Sequence, residues 1–255
     1  MYRIYGFVPA CDMVDNALLI SNLGYMLARR GLNTCILDLK VFYPNLYYYL
    51  DVGPPAKESG LIRLLKNDKA DFRDEIRATP HEHLYVLTPS PYDLFEEYFD
   101  LDFEHLDRVM TTLKQLFDIV LVDIPNNPPL EFCLGAIRNC HVGFFTASER
   151  LEAAGHIAKF MEYAASVGIR PAKFANVILM NVQHLHFDQR VFKEAGVRIA
   201  AVLPMVGAAA ALALDGKLYV KDAALVNKAF RKGIERIAEW IASDRMGGNL
   251  DADTG

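Results

Sequence analysis

Apolar residues along the chain fall into two alternating patterns. Short runs such as "IVLVD" (119–123) and "VILMN" (177–181) are apolar at successive positions, while the longer segments between them are amphipathic. Uninterrupted apolar runs suit strands buried on both faces of a parallel sheet, and amphipathic segments suit the helices that cover it. The runs predict strands over Arg3–Val8, Thr34–Asp38, Leu84–Leu87, Ile119–Asp123, Val142–Thr146, Asn176–Asn181 and Ile199–Leu203. Helices are predicted near 17–30, 58–66, 103–116, 129–138, 150–167, 187–195 and 222–242. Strand–helix–strand alternation with right-handed crossovers yields a doubly wound α/β fold, its central sheet mostly parallel and flanked by helices. Ligands in such folds bind beyond the carboxyl ends of the strands, so the residues just after each strand carry the candidate chemistry.

With 255 residues and 52% hydrophobic content, the chain can bury one large core. One α/β domain is expected over residues 1–243, with a flexible tail over 244–255, where the sequence is rich in glycine and aspartate. Charged residues make up 23% and the net charge is −5, without a basic stripe, which argues against nucleic acid as a partner. Cys11, Cys35, Cys133 and Cys140 show no Cys-x-x-Cys spacing and read as reduced thiols rather than a disulfide frame or zinc site. No signal peptide is evident, and no apolar run approaches the roughly 20 residues that cross a bilayer. The expected setting is the cytoplasm.

Three stretches, in order, carry a family resemblance. "FVPACDMVDNALLISNLGYMLARRG" (7–31) runs from a strand through a turn into a helix. "CILDLKVFYPNLYYYLDV" (35–52) and "LFDIVLVDIPNNPP" (116–129) follow. Together they resemble the P-loop, the second strand with its Asp-x-Asp pair, and the Walker B strand of the MinD/ParA group of ATPases. "NVILMNV" (176–182) resembles the family strand whose asparagine, here Asn181, contacts adenine, and "RIAAVLPMVGAAAALALDGKLYV" (198–220) is similar to the family's ending. Within the group, the reading is similar to the TadZ/CpaE branch, which helps to localise pilus or secretion machines.

The resemblance implies a nucleotide site, and the residues depart from it. The family loop Lys-Gly-Gly-x-Gly-Lys-Thr, laid over this chain, puts its lysines on Cys11 and Asn16 and its threonine on Ala17. Its glycines fall on Asp12, Met13 and Asp15. Those glycines let backbone N–H groups close around phosphate; the second lysine neutralises it, and the threonine ligates Mg²⁺. A carboxylate about 5 Å from a phosphate charge repels it by roughly 3 kcal/mol at an effective dielectric of about 20. ATP and Mg²⁺ binding are therefore expected to be lost. Asp12 or Asp15 is expected to cap the following helix. The family's Asp-x-Asp becomes Asp38-Leu39-Lys40, so a lysine replaces the acid that aligns water. Asp123, the Walker B position, either retains a metal-linked role or binds backbone amides. Lys40 is expected to pair with Asp12 or Asp123 inside the former pocket, which Asp38 and Asn181 would also line.

Other groups carry less. His81 and His83, like His184 and His186, form His-x-His pairs without a third ligand at motif spacing and read as surface histidines. Ser148 in "ASER" lacks a nucleophile motif and is expected to cap the next helix. Residues 89–102 read as a surface Ω-loop. Phe230, Ile234, Ile237 and Ile241 form an apolar stripe expected to pack into the core; the competing reading is peripheral contact with the inner face of the membrane. Tyr47, Tyr48 and Tyr49 suit either a protein interface or a buried edge.

These readings combine into an expectation of a pseudo-ATPase, a binding or positioning component of a larger assembly such as a pilus or secretion machine. Its partners would be proteins, as a homodimer or as a heterodimer with an active MinD/ParA-like ATPase. The alternative is a weak or atypical ATPase in spatial organisation or partition.

Overall fold

The computed structural model describes residues 3–12, 14–126, 130–183 and 188–245. Met13, His184, His186 and the tail from residue 246 onward lie outside them. The described residues form eight strands: β1 (Arg3–Pro9), β2 (Thr34–Asp38), β3 (Arg77–Ala78), β4 (Leu84–Leu87), β5 (Ile119–Asp123), β6 (Val142–Ala147), β7 (Asn176–Val182) and β8 (Arg198–Pro204). They make one sheet in the order β3-β4-β2-β5-β1-β6-β7-β8. All pairings are parallel except β3 with β4. The seven predicted strands are all present, and the fold is the doubly wound α/β architecture read from the apolar runs. The added strand, β3, is two residues long, too short for a periodic pattern to reveal it.

Twelve helices accompany the sheet among the described residues. The first six are α1 (Asn16–Ala28), α2 (Leu46–Tyr49), α3 (Leu61–Lys66), α4 (Phe72–Glu75), α5 (Glu96–Phe99) and α6 (Phe103–Leu116). The rest are α7 (Leu130–Asn139), α8 (Leu151–Ser166), α9 (Arg190–Glu194), α10 (Ala209–Leu214), α11 (Tyr219–Asp222) and α12 (Lys228–Arg245). Three predicted helices are shorter than expected: the one near 187–195 is confined to Arg190–Glu194, and the other two start late for local reasons. The helix expected at 58 starts at Leu61, because Gly60 holds a left-handed backbone (φ 69°) with Thr88 O only 2.5 Å from where a Cβ would stand. The helix expected at 222 starts at Lys228, because the Asn227 carboxamide accepts from the amides of Ala229 and Phe230 and caps it there.

The core lies on both faces of the sheet, as non-alternating strands require. β1 directs Ile4 and Val8 to one face and Tyr5 and Phe7 to the other. The first face packs under α3, α6, α7 and α8; the second packs under α1 and α12. Phe230, Ile234, Ile237 and Ile241 are buried in that second core, so the stripe of α12 packs inward. Among the described residues no helix is long and apolar enough to cross a membrane. The 89–102 segment is less of a free loop than expected: it contains α5, and Tyr98 is buried with its hydroxyl donating to Asp93 at 2.7 Å.

Candidate functional site

The turn from β1 into α1 is built around side chains that satisfy the helix end internally. Asp15 caps α1, its carboxylate accepting from Leu18 N at 3.0 Å. The Tyr49 hydroxyl of α2 donates to the other Asp15 oxygen, so α2 is tied to the start of α1. Between the two acids offered as caps, the structure selects Asp15, while Asp12 is exposed. Cys11 is buried, and Ser148 N donates to its sulfur at 3.3 Å, with Ser148 Oγ 3.5 Å from the same atom. Ser148 therefore does not cap α8 as expected; Arg150 stands at that N-cap without a side-chain bond. The thiol of Cys11 draws Ser148 across from β6 to β1 instead.

Asn16, which the resemblance sets at a lysine position, sits at the bottom of this turn and is buried. Its amide nitrogen donates to Phe7 O at 3.3 Å and to Asp123 Oδ1 at 3.2 Å, and its carbonyl oxygen accepts from Thr146 Oγ1. One carboxamide thus joins β1, β5, β6 and α1. Ala17 beside it is fully buried and offers no oxygen.

Asp38 and Asp123 are register partners at the ends of adjacent strands β2 and β5, and both are fully buried. Two carboxylates placed side by side in a low-dielectric site repel unless a cation intervenes. Lys40 supplies it, with its Nζ 2.7 Å from Asp123 Oδ2 and 2.9 Å from Asn45 Oδ1. The contact with Oδ2 is an ion pair. Asp38 is held by donors instead: Lys40 N at 2.9 Å, then Asn45 N, Leu46 N and Thr88 Oγ1 at 3.4 Å. Burial raises the Asp38 carboxyl to about 6, with the Lys40 charge opposing the rise and the Asp123 charge adding to it. Burial alone would lower the Lys40 ammonium, but Asp123 and Asp38 outweigh it and hold it above its ordinary value.

Asn16, Asp38, Lys40 and Asp123 are thus brought into one connected cluster, with Asp15 and Cys11 on the turn above it. Asn181 stands at the end of β7, two strands from β1 in the sheet order, in the left-handed region (φ 56°) beside a register shift. His81 packs edge-on against Tyr25, and His83 Nδ1 lies 2.9 Å from Asn33 Oδ1. Among the described residues no group of three or more His, Cys, Asp or Glu is arranged to hold a metal ion. Sequence reading missed Thr146, Asn45, Thr88 and Tyr49 as members of the site. Thr146 and Thr88 each interrupt or end an apolar strand run on the carboxyl side, the one signal that could have marked them.

An ATP–Mg²⁺ group needs a cation for its β and γ phosphates, a hydroxyl for the metal and a carboxylate free to act through water. Here the carboxylate is paired with Lys40 and Asn16, the hydroxyl position is Ala17, and the helix end is closed by Asp15. The donor set does not fit that group.

The architecture is that of the MinD/ParA P-loop ATPases. A septum site-determining protein MinD from Pyrococcus horikoshii OT3, complexed with Mg-ADP, superposes with a TM-score of 0.79 at 20% identity, covering 97% of this chain and 98% of that one. A ParA family ATPase from Chlorobium tepidum TLS gives a TM-score of 0.79 at 15% identity over 94% and 99% of the two chains. The MinC:MinD cell division complex from Aquifex aeolicus gives 0.78 at 14% identity over 99% of each. No protein-family model matches the chain, and no curated protein sequence does.

Proposed function

We propose that this chain is a pseudo-ATPase of MinD/ParA-like fold, acting as a binding or positioning component of a larger protein assembly such as a pilus or secretion machine. The observation that carries the reading is the cluster in which Lys40 and Asn16 both engage Asp123. In that arrangement the protein neutralises its own Walker B position and needs no bound cation there. The fold then persists without nucleotide, because its two large apolar clusters and the buried polar cluster are all built from the chain's own side chains.

Association with partners would rest on side chains rather than on a shared nucleotide. An exposed aromatic surface supports this. Tyr43 is 75% exposed and Tyr92 61%, and they stand with Tyr48, Phe95 and Phe99 on the segments that follow β2 and β4. The rings of Phe42 and Phe95 meet within it at a tilt of 37°, their centroids 4.5 Å apart. An apolar surface of this kind commonly marks a protein contact. The MinD structure from Aquifex aeolicus is a complex with MinC, and a protein partner is the corresponding expectation here.

Calorimetric titration with ATP and Mg²⁺ tests the reading. No heat of binding is expected at high micromolar nucleotide. Micromolar affinity, or turnover that Asp123→Ala abolishes, would establish the weak ATPase instead.

A further inference from the structure

A cavity of about 850 Å³ opens at the opposite end of the sheet, where β6, β7 and β8 begin. Its size lies within the range of roughly 300–1,000 Å³ common for small-molecule sites. Val142, Ile199 and Trp240 give it an apolar wall, Trp240 coming from the last turns of α12. Four cations line it: Lys173, Arg190, Lys193 and Arg198. Arg190 is taken by Asp188, and the lining acid, Asp244, is taken by Arg3.

The other three cations have no carboxylate partner among the described residues. Lys173 donates to the Arg138 carbonyl and Arg198 to Asn176 Oδ1, both neutral acceptors. His141 adds a neutral donor: its Nδ1 accepts from Ile4 N, and burial holds the ring below its ordinary pKa, so the proton rides on Nε2. Isolated surface lysines are ordinary. Here three uncompensated cations surround an apolar recess, in a chain whose net charge is −5. Water satisfies the charges but not the wall, and an apolar solute satisfies the wall but not the charges.

We propose that this cavity binds a small amphiphilic anion. An apolar or aromatic body would rest against Val142, Ile199 and Trp240, and a carboxylate, sulfonate or phosphate head would meet Lys173, Lys193 and Arg198. The site is independent of any nucleotide chemistry, since it lies at the amino ends of the strands and the Asp123 cluster at their carboxyl ends.

Trp240 is the single tryptophan of the chain, so it reports on the cavity directly. The test titrates the protein with 8-anilinonaphthalene-1-sulfonate and, separately, with its uncharged counterpart N-phenyl-1-naphthylamine. Excitation of Trp240 should give saturable energy transfer to the sulfonate at one site per chain, with the uncharged dye binding about tenfold more weakly. Lys193 and Arg198 are exposed, so a Lys193→Glu/Arg198→Glu variant should fold normally and lose about tenfold in affinity for the sulfonate while keeping that for the neutral dye. Should the double variant lower the melting temperature, Lys193→Glu alone serves, with a smaller loss in the same direction. Equal affinity for the two dyes, indifference to charge reversal, or no saturable signal would each overturn the proposal.

Discussion

Lys40 Nζ stands 2.7 Å from Asp123 Oδ2, at the carboxyl ends of two adjacent strands. The lysine stands where the resemblance would place an acid, and it sets a cation beside a β1–α1 turn that has no lysine of its own. Its cation faces the carboxylate on which the resemblance would place a metal-linked role. A fixed ammonium and a carboxamide together satisfy a buried acid that would otherwise be intolerable.

Removing that ammonium leaves two fully buried carboxylates facing each other. Lys40→Met is expected to lower stability by about 3 kcal/mol, the low end for breaking a buried pair because Lys40 retains 21% side-chain exposure. Urea denaturation of Lys40→Met and of Lys40→Met/Asp123→Asn measures it. The double variant should recover most of the loss, and failure to do so would mean that the pair is incidental.

Asp38 has its folded pKa raised to about 6 from an ordinary 3.8. A raised acid favours the protonated folded state, so its contribution is fully present below about pH 4 and is lost as pH rises through 6. The loss is on the order of 2–3 kcal/mol. Stability of the wild type relative to Asp38→Asn should therefore fall between pH 4 and 6 and be flat above. A flat difference across the whole range would exclude the assignment.

Asp15 serves two partners, Leu18 N and the Tyr49 hydroxyl. Asp15→Ala should cost about 1–2 kcal/mol and Tyr49→Phe about 1 kcal/mol. Because the two side chains share one bond, the double variant should cost less than the sum. Chemical denaturation of all four proteins closes the cycle, and strict additivity would contradict the contact.

A ligand that binds the folded state raises its melting temperature, by the equivalent of about 2.7 kcal/mol at 100 times Kd. Millimolar ATP with Mg²⁺ should produce no such rise here. A rise that disappears in Asp123→Asn would locate a working nucleotide site at the end of β5.

Much of the fold was legible because a parallel sheet imposes its burial on the sequence. β5 and β7 must be apolar at consecutive positions when both faces are covered, so "IVLVD" and "VILMN" declare themselves. β3 and the short helices α2, α4 and α5 carry no such mark, being too short for any pattern to repeat. The site was legible in part. Positions after strand ends were the right places to look, and Asn16, Asp38, Lys40 and Asp123 do meet there. Thr146 escaped notice, and Tyr49 was read only as part of an aromatic run, because a hydroxyl is ordinary in any context until another chain segment is brought to it.

By itself the sequence determined the order of the seven longer strands along the chain and the absence of lysine, threonine and glycine from residues 11–17. Local composition suffices for both. Which acid takes Lys40 and where Ser148 points were decided by the tertiary structure alone. Those choices depend on distances between residues far apart in the chain, and only the pairing of β2 and β6 with their neighbours sets such distances.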